Sequence, residues 1–149
     1  MPISLQWYVD QQVIYETVEG DITLEETGMV TGDLTEMLST SKQPQIHILI
    51  DVQKMGDAPD NARLLSTTIS PLFLQRNLGW VLIFSEDDTN ADFMNAAVTR
   101  VFQSRLEVFN NRNDALRFLK NNDPDLSGLA IPDDEDDDWS DEETLPHLR

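Results

Sequence analysis

The chain has 149 residues, no cysteine, two histidines and a formal charge of −18, from 28 acids against 10 bases. That length suits one domain with a tail rather than two cores, and 40% hydrophobic with 26% charged residues is a globular composition. The acidity argues against nonspecific nucleic-acid binding and against docking on an anionic membrane, while the missing cysteine excludes disulfides, thiolate metal sites, iron–sulfur clusters and cysteine nucleophiles.

Leu5, Trp7 and Val9 alternate at the strand period, and Val13 to Val18 reads as a second extended run, joined to the first through Asp10-Gln11-Gln12. Gly20-Asp21 ends that strand. Thr23-Leu24-Glu25-Glu26 then has the form of a capping box, in which the hydroxyl accepts from the fourth residue's N–H and the glutamate reaches back. Val30, Leu34, Met37 and Leu38 follow at helical spacing, which predicts a helix over 23–40. Gly28 and Gly32 share one side of it, a spacing that favours close approach to the sheet; Glu25, Glu26 and Asp33 beside them exclude a membrane setting. Ile46-His47-Ile48-Leu49-Ile50 is almost continuously apolar, as in a strand covered on both faces.

Ala62, Leu64, Leu65, Thr68 and Ile69 predict a second helix, interrupted at Ser70-Pro71, where proline fits the first turn of a new helical segment. Gly79 to Phe84 is another buried strand. Met94, Ala97, Val98, Val101 and Phe102 predict a third amphipathic helix, and Leu106, Val108 and Phe109 a short strand. Asn111 or Asn113 caps a last helix that turns Ala115, Leu116 and Leu119 inward and stops at Asn121-Asn122. The order β-β-α-β-α-β-α-β-α means an α/β domain with a mixed, mainly parallel sheet, an N-terminal hairpin and about four helices.

The Asp-Pro at 123–124 sets the expected domain boundary near residue 124, leaving 125–149 as an acidic tail. Residues 133–149 hold nine acids and one base, and such a segment cannot bury enough surface to offset chain entropy. Trp139 is its one aromatic and a candidate anchor. No Lys or Arg precedes Lys42 and the longest apolar stretch, 78–84, is far short of a bilayer span, so the expected compartment is the cytoplasm.

Candidate chemistry is sparse. Asp51, Glu86 and Asp88 follow strands, where open α/β sheets bind ligands, and could converge on a hard cation; equally, acids there serve the next helix N-terminus. His47 sits within an apolar strand, the usual setting of a buried, satisfied ring, and His147 lies in the tail. No phosphate loop occurs, so no cofactor is expected. Arg100, Arg105, Arg112, Arg117 and Lys120 give residues 100–120 a local charge of +3, whereas residues 1–41 hold eight acids and no base. The cluster at 100–120 is a candidate docking face, either for a partner or for the chain's own tail, beside the simpler reading of solvated surface.

The run Val13 to Gly20 with its capped helix, Ile48-Leu49-Ile50-Asp51-Val52, Leu78 to Ser85, Leu106-Glu107-Val108-Phe109 and Asp114-Ala115-Leu116-Arg117-Phe118-Leu119 resembles a STAS domain. The likeness spans about residues 5–121 and lies nearest the SpoIIAA-like relatives among uncharacterised bacterial proteins, whose fold is also similar to lipid-carrying CRAL-TRIO domains. It implies a non-enzymatic regulatory module that binds a protein partner through the loop after the third strand, here Met55, Gly56, Asp57 and Ala58. In anti-sigma-factor antagonists that loop ends in a phosphorylatable serine at a helix N-terminus, a position that suits a phosphate. This chain has Asp57-Ala58 at that place and no hydroxyl. A second expectation is a carrier of a small apolar, lipid-like ligand held between the sheet and the helices bearing Met37, Leu65, Leu72, Phe73 and Met94; a third is a metal-dependent enzyme through the strand-end carboxylates.

Overall fold

The computed structural model describes residues 3–57, 61–85 and 105–132. Five strands form one sheet in the order β1-β2-β3-β4-β5: β1 (Ile3–Val9), β2 (Val13–Gly20), β3 (Ile46–Met55), β4 (Leu78–Phe84) and β5 (Leu106–Phe109). β1 and β2 are antiparallel, and every other pairing is parallel. Asp10-Gln11-Gln12 makes the hairpin turn with Gln11 in the left-handed region at φ 62°, and the Gln12 N–H donates to the Val9 carbonyl at 2.9 Å. A left-handed residue is what a three-residue hairpin loop requires.

The helices α1 (Leu24–Thr40), α2 (Ala62–Ile69) and α3 (Arg112–Asn122) cover both faces of the sheet, with 3-10 turns at Ser70–Leu74 and Pro124–Leu126. α1 begins in the capping box read from the sequence. Thr23 Oγ1 accepts from the Glu26 N–H at 3.1 Å, and Glu26 Oε1 accepts from the Thr23 N–H at 2.9 Å. Asn61 caps α2 and Asn111 caps α3 in the same manner, each accepting from an N–H three residues on. Gly28 and Gly32 do not bring α1 against the sheet. A Cβ on Gly28 would make an ordinary contact with Thr68 of α2, at 3.6 Å, and one on Gly32 would meet open space.

The period-two alternation of the strands divides the core. Ile14, Val18, Ile48, Ile50, Val81 and Ile83 pack beneath α1 and α2 with Val30, Leu34, Leu65 and Leu72. Tyr8, Val13, Tyr15, Leu49, Leu82 and Phe84 face the other way, against Ala115, Leu116 and Leu119 of α3. That second core does not stop at the Asp-Pro turn. Leu126 and Leu129 are buried in it, and the Asn113 side chain donates to the Pro132 carbonyl at 2.8 Å. The packed chain therefore runs through residue 132, past the boundary expected at 124, because two leucines after the turn find apolar cover. The amphipathic stretch at 94–102 and the tail from 133, Trp139 included, lie outside the described residues. Among the described residues no helix is long and apolar enough to cross a membrane.

Candidate functional site

Three places in this frame concentrate polar groups. At the carboxyl ends of β2 and β3, the loops before α1 and α2 are tied together. The Gly56 N–H donates to the Gly20 carbonyl at 2.8 Å, the Ile22 N–H to the Asp57 carbonyl at 2.9 Å, and the Asp57 N–H to Asp21 Oδ1 at 2.7 Å. A side chain at Gly56 would collide with the Asp21 carboxylate and stand 3.2 Å from the Gly20 backbone, so only glycine permits this approach. Of the expected binding loop, Met55 is buried, Gly56 and Asp57 are exposed, and Ala58 lies outside the described residues.

On the α3 face two polar groups of β3 are buried. His47 is fully enclosed. Its Nε2 donates to Asp123 Oδ2 at 2.7 Å and its Nδ1 accepts the Trp80 N–H at 2.9 Å, which sets the neutral tautomer. Burial lowers the His47 pKa and the Asp123 carboxylate partly opposes that shift. Gly79 makes room for the ring, since a Cβ there would lie 2.5 Å from Nδ1. Four residues further along the same face, Asp51 Oδ2 accepts the Tyr15 hydroxyl at 2.9 Å and Oδ1 accepts the Gln53 N–H at 3.0 Å. Burial, reinforced by Asp51, raises the Tyr15 pKa well above the phenol range. Tyr8 is pushed up to about 12 by burial, against the pull of the nearby Arg112 cation.

Two sequence expectations change here. Asp51 is not a free strand-end carboxylate but the buried acceptor for Tyr15, and Glu86 and Asp88 lie outside the described residues. Arg112 is not part of an exposed basic face. It opens α3, is 6% exposed, and its charge acts on Tyr8 and Tyr15 inside the sheet-facing core. The remaining basic residues separate. Arg117 is half exposed and pairs with Asp114 at 2.9 Å. Lys120 is exposed. Arg105 donates to the Leu78 carbonyl at 3.2 Å and lines, with Arg76, a groove of about 660 Å3 at the amino ends of β3 and β4 that also holds Asp123 and Asp125. Arg100 lies outside the described residues.

The third place is on the α1–α2 face and was not singled out by motif. Glu16, on β2 between Ile14 and Val18, turns into a cavity of about 60 Å3 under the two helices. Its neighbours there include Ile48, Ile50, Leu34, Leu65 and Leu72, with Thr27 and Thr31 as the only other polar side chains in the lining. Both threonine hydroxyls donate to their own helix backbone, Thr27 to the Thr23 carbonyl at 2.9 Å and Thr31 to the Thr27 carbonyl at 2.8 Å. Glu16 is 7% exposed and has no hydrogen-bond or ion-pair partner among the described residues. Burial alone pushes its pKa up to about 7. The signal was parity: Glu16 holds the inward register set by Ile14 and Val18. Leu65 and Leu72, expected as ligand lining, do line this cavity; Met37 and Phe73 pack on the same core outside it, and Met94 lies outside the described residues.

With this geometry the domain has a SpoIIAA-like, STAS-type fold. It is similar to an uncharacterised DUF3478-family protein with a SpoIIAA-like fold from Shewanella loihica, at TM-score 0.55 and 21% identity over 78% of this chain and 91% of that one. It is also similar to the anti-sigma-factor antagonist SpoIIAA in its unphosphorylated form, at TM-score 0.51 and 11% identity over 80% of this chain and 98% of that one. No family model matches the chain, and no curated protein matches it.

Proposed function

We propose that the domain is a non-enzymatic protein-interaction module whose docking edge is the pair of tied loops at the carboxyl ends of β2 and β3. The supporting observation is the clamp between Gly20-Asp21-Ile22 and Gly56-Asp57: three hydrogen bonds fix an exposed, acidic edge before any partner arrives. A pre-ordered edge loses less conformational freedom on binding. The likeness to SpoIIAA, itself an anti-sigma-factor antagonist, points the same way by fold alone. Asp57 carries a fixed negative charge near the place where the resemblance puts a phosphorylatable serine, so the edge is permanently charged and not switched there.

A photo-crosslinking residue placed at position 57 of the full chain tests this against the same residue at position 74, where Leu74, at the end of the 3-10 turn after α2, is 82% exposed. The expected outcome is a discrete adduct in the host cell from position 57 and none from position 74. Equal labelling from both, or none from 57, would contradict the reading.

A second reading, a carrier of a small apolar ligand, is favoured by one observation, the cavity between the sheet and α1–α2. Its simplest test is a saturable shift of the Leu65 and Leu72 methyl resonances on adding a short-chain apolar compound.

A further inference from the structure

An isolated carboxylate in an apolar enclosure is costly unless it takes up a proton or meets a cation. Among the described residues the cavity wall offers Glu16 neither a cation nor a free hydroxyl, because the lining is aliphatic apart from two threonines whose hydroxyls are committed to the α1 backbone. Among the described residues the lining comes from both sides of the cavity. β1 contributes Ile3, β3 and β4 contribute isoleucines and Val81, and the 3-10 turn contributes Leu72; none brings a second titratable or charged group. A side chain that is more than nine-tenths buried, faces a void and lacks a partner marks the place where an external partner fits.

We propose that this cavity binds a small apolar cation, of the class of short-chain primary alkylammonium ions, with the ammonium on the Glu16 carboxylate and the first carbons against Leu34, Leu65 and Leu72. The proposal rests on the carrier reading and narrows it from any apolar compound to one charge class. Size sets the scale. An engineered apolar cavity of about 150 Å3 accepts benzene, so about 60 Å3 holds a head group and its first carbons but not a lipid tail. Charge sets the selectivity: an alkyl carboxylate meets like charge, and an alcohol leaves the carboxylate without its counter-ion. When the ammonium enters, a Glu16 that was protonated releases its proton to solvent, and the pair that remains is neutral overall. With the Glu16 pKa up to about 7, the ionised fraction rises about tenfold between pH 6 and pH 8, and apparent affinity rises with it.

The experiment is a methyl-resolved NMR titration of the full chain with butylammonium, butyrate and 1-butanol. The expected result is a saturable shift of the Leu34, Leu65 and Leu72 methyls with butylammonium alone, about tenfold tighter at pH 8 than at pH 6, and lost in Glu16→Gln. The pH comparison on the unaltered chain stands even if that variant folds poorly. If 1-butanol binds as tightly as the amine, or Glu16→Gln retains the affinity, the carrier reading survives and the proposal is overturned. If none of the three compounds shifts these methyls, both are overturned.

Discussion

On the α3 face of the sheet, His47 meets Asp123 and Tyr15 meets Asp51, so these two buried groups have each been given a carboxylate partner from a distant part of the chain. On the α1–α2 face, Glu16 is buried to a similar depth and meets none among the described residues. The two faces also titrate with opposite sign. Glu16 has a folded pKa of about 7 against an ordinary 4.5, so folding stability is fully present below the lower value and falls as pH rises between them. His47 has a folded pKa below its ordinary value, so the stability it confers is present above that ordinary value and is lost as pH falls through the region below it. A satisfied polar group ties strands and helices together; an unsatisfied carboxylate weakens the fold at neutral pH.

Removing the lone carboxylate has the largest expected effect. Glu16→Gln is expected to gain stability relative to the unaltered chain as pH rises from 4.5 to 8, by about 3 kcal/mol across that range, in urea unfolding at each pH. A constant difference would mean that Glu16 is not desolvated. On the other face the same kind of deletion has the opposite sign. Asp123→Ala leaves the enclosed His47 Nε2–H without its acceptor and removes the cap of the following 3-10 turn, at a cost of about 2 kcal/mol at pH 7.5. Tyr15→Phe is the smaller perturbation, because Asp51 keeps the Gln53 N–H: about 1 kcal/mol of lost stability is expected by thermal unfolding.

Much of the frame was legible because it depends on local pattern. Thr23 and Glu26 stand three residues apart and make the capping box their spacing implies, and Ile46 to Ile50 is a central strand covered on both faces. His47 was legible as a satisfied core histidine, but its partner was not. Asp123 lies 76 residues away in a segment that reads as a linker, and no local signal joins the two. Arg112 read as surface charge because sequence cannot show that the first turn of α3 starts above Tyr8 and Tyr15. The Leu126 and Leu129 anchors escaped for a related reason: two leucines within a polar, proline-containing stretch have no period until the turn folds them onto α3. Glu16 is the instructive case. Its parity placed it inside, yet an acid in this strand is easily counted with the exposed Glu19, and only its burial without a partner among the described residues separates it from that neighbour.

Glu16 is desolvated and, among the described residues, unpaired at the heart of the α1–α2 face. A pH titration following its side-chain carboxyl carbon by NMR, in the protein free of added ligand, reads that state directly. The expected midpoint lies near 7, against an ordinary 4.5. A midpoint near 4.5 would show a solvated or ion-paired carboxylate and would contradict it.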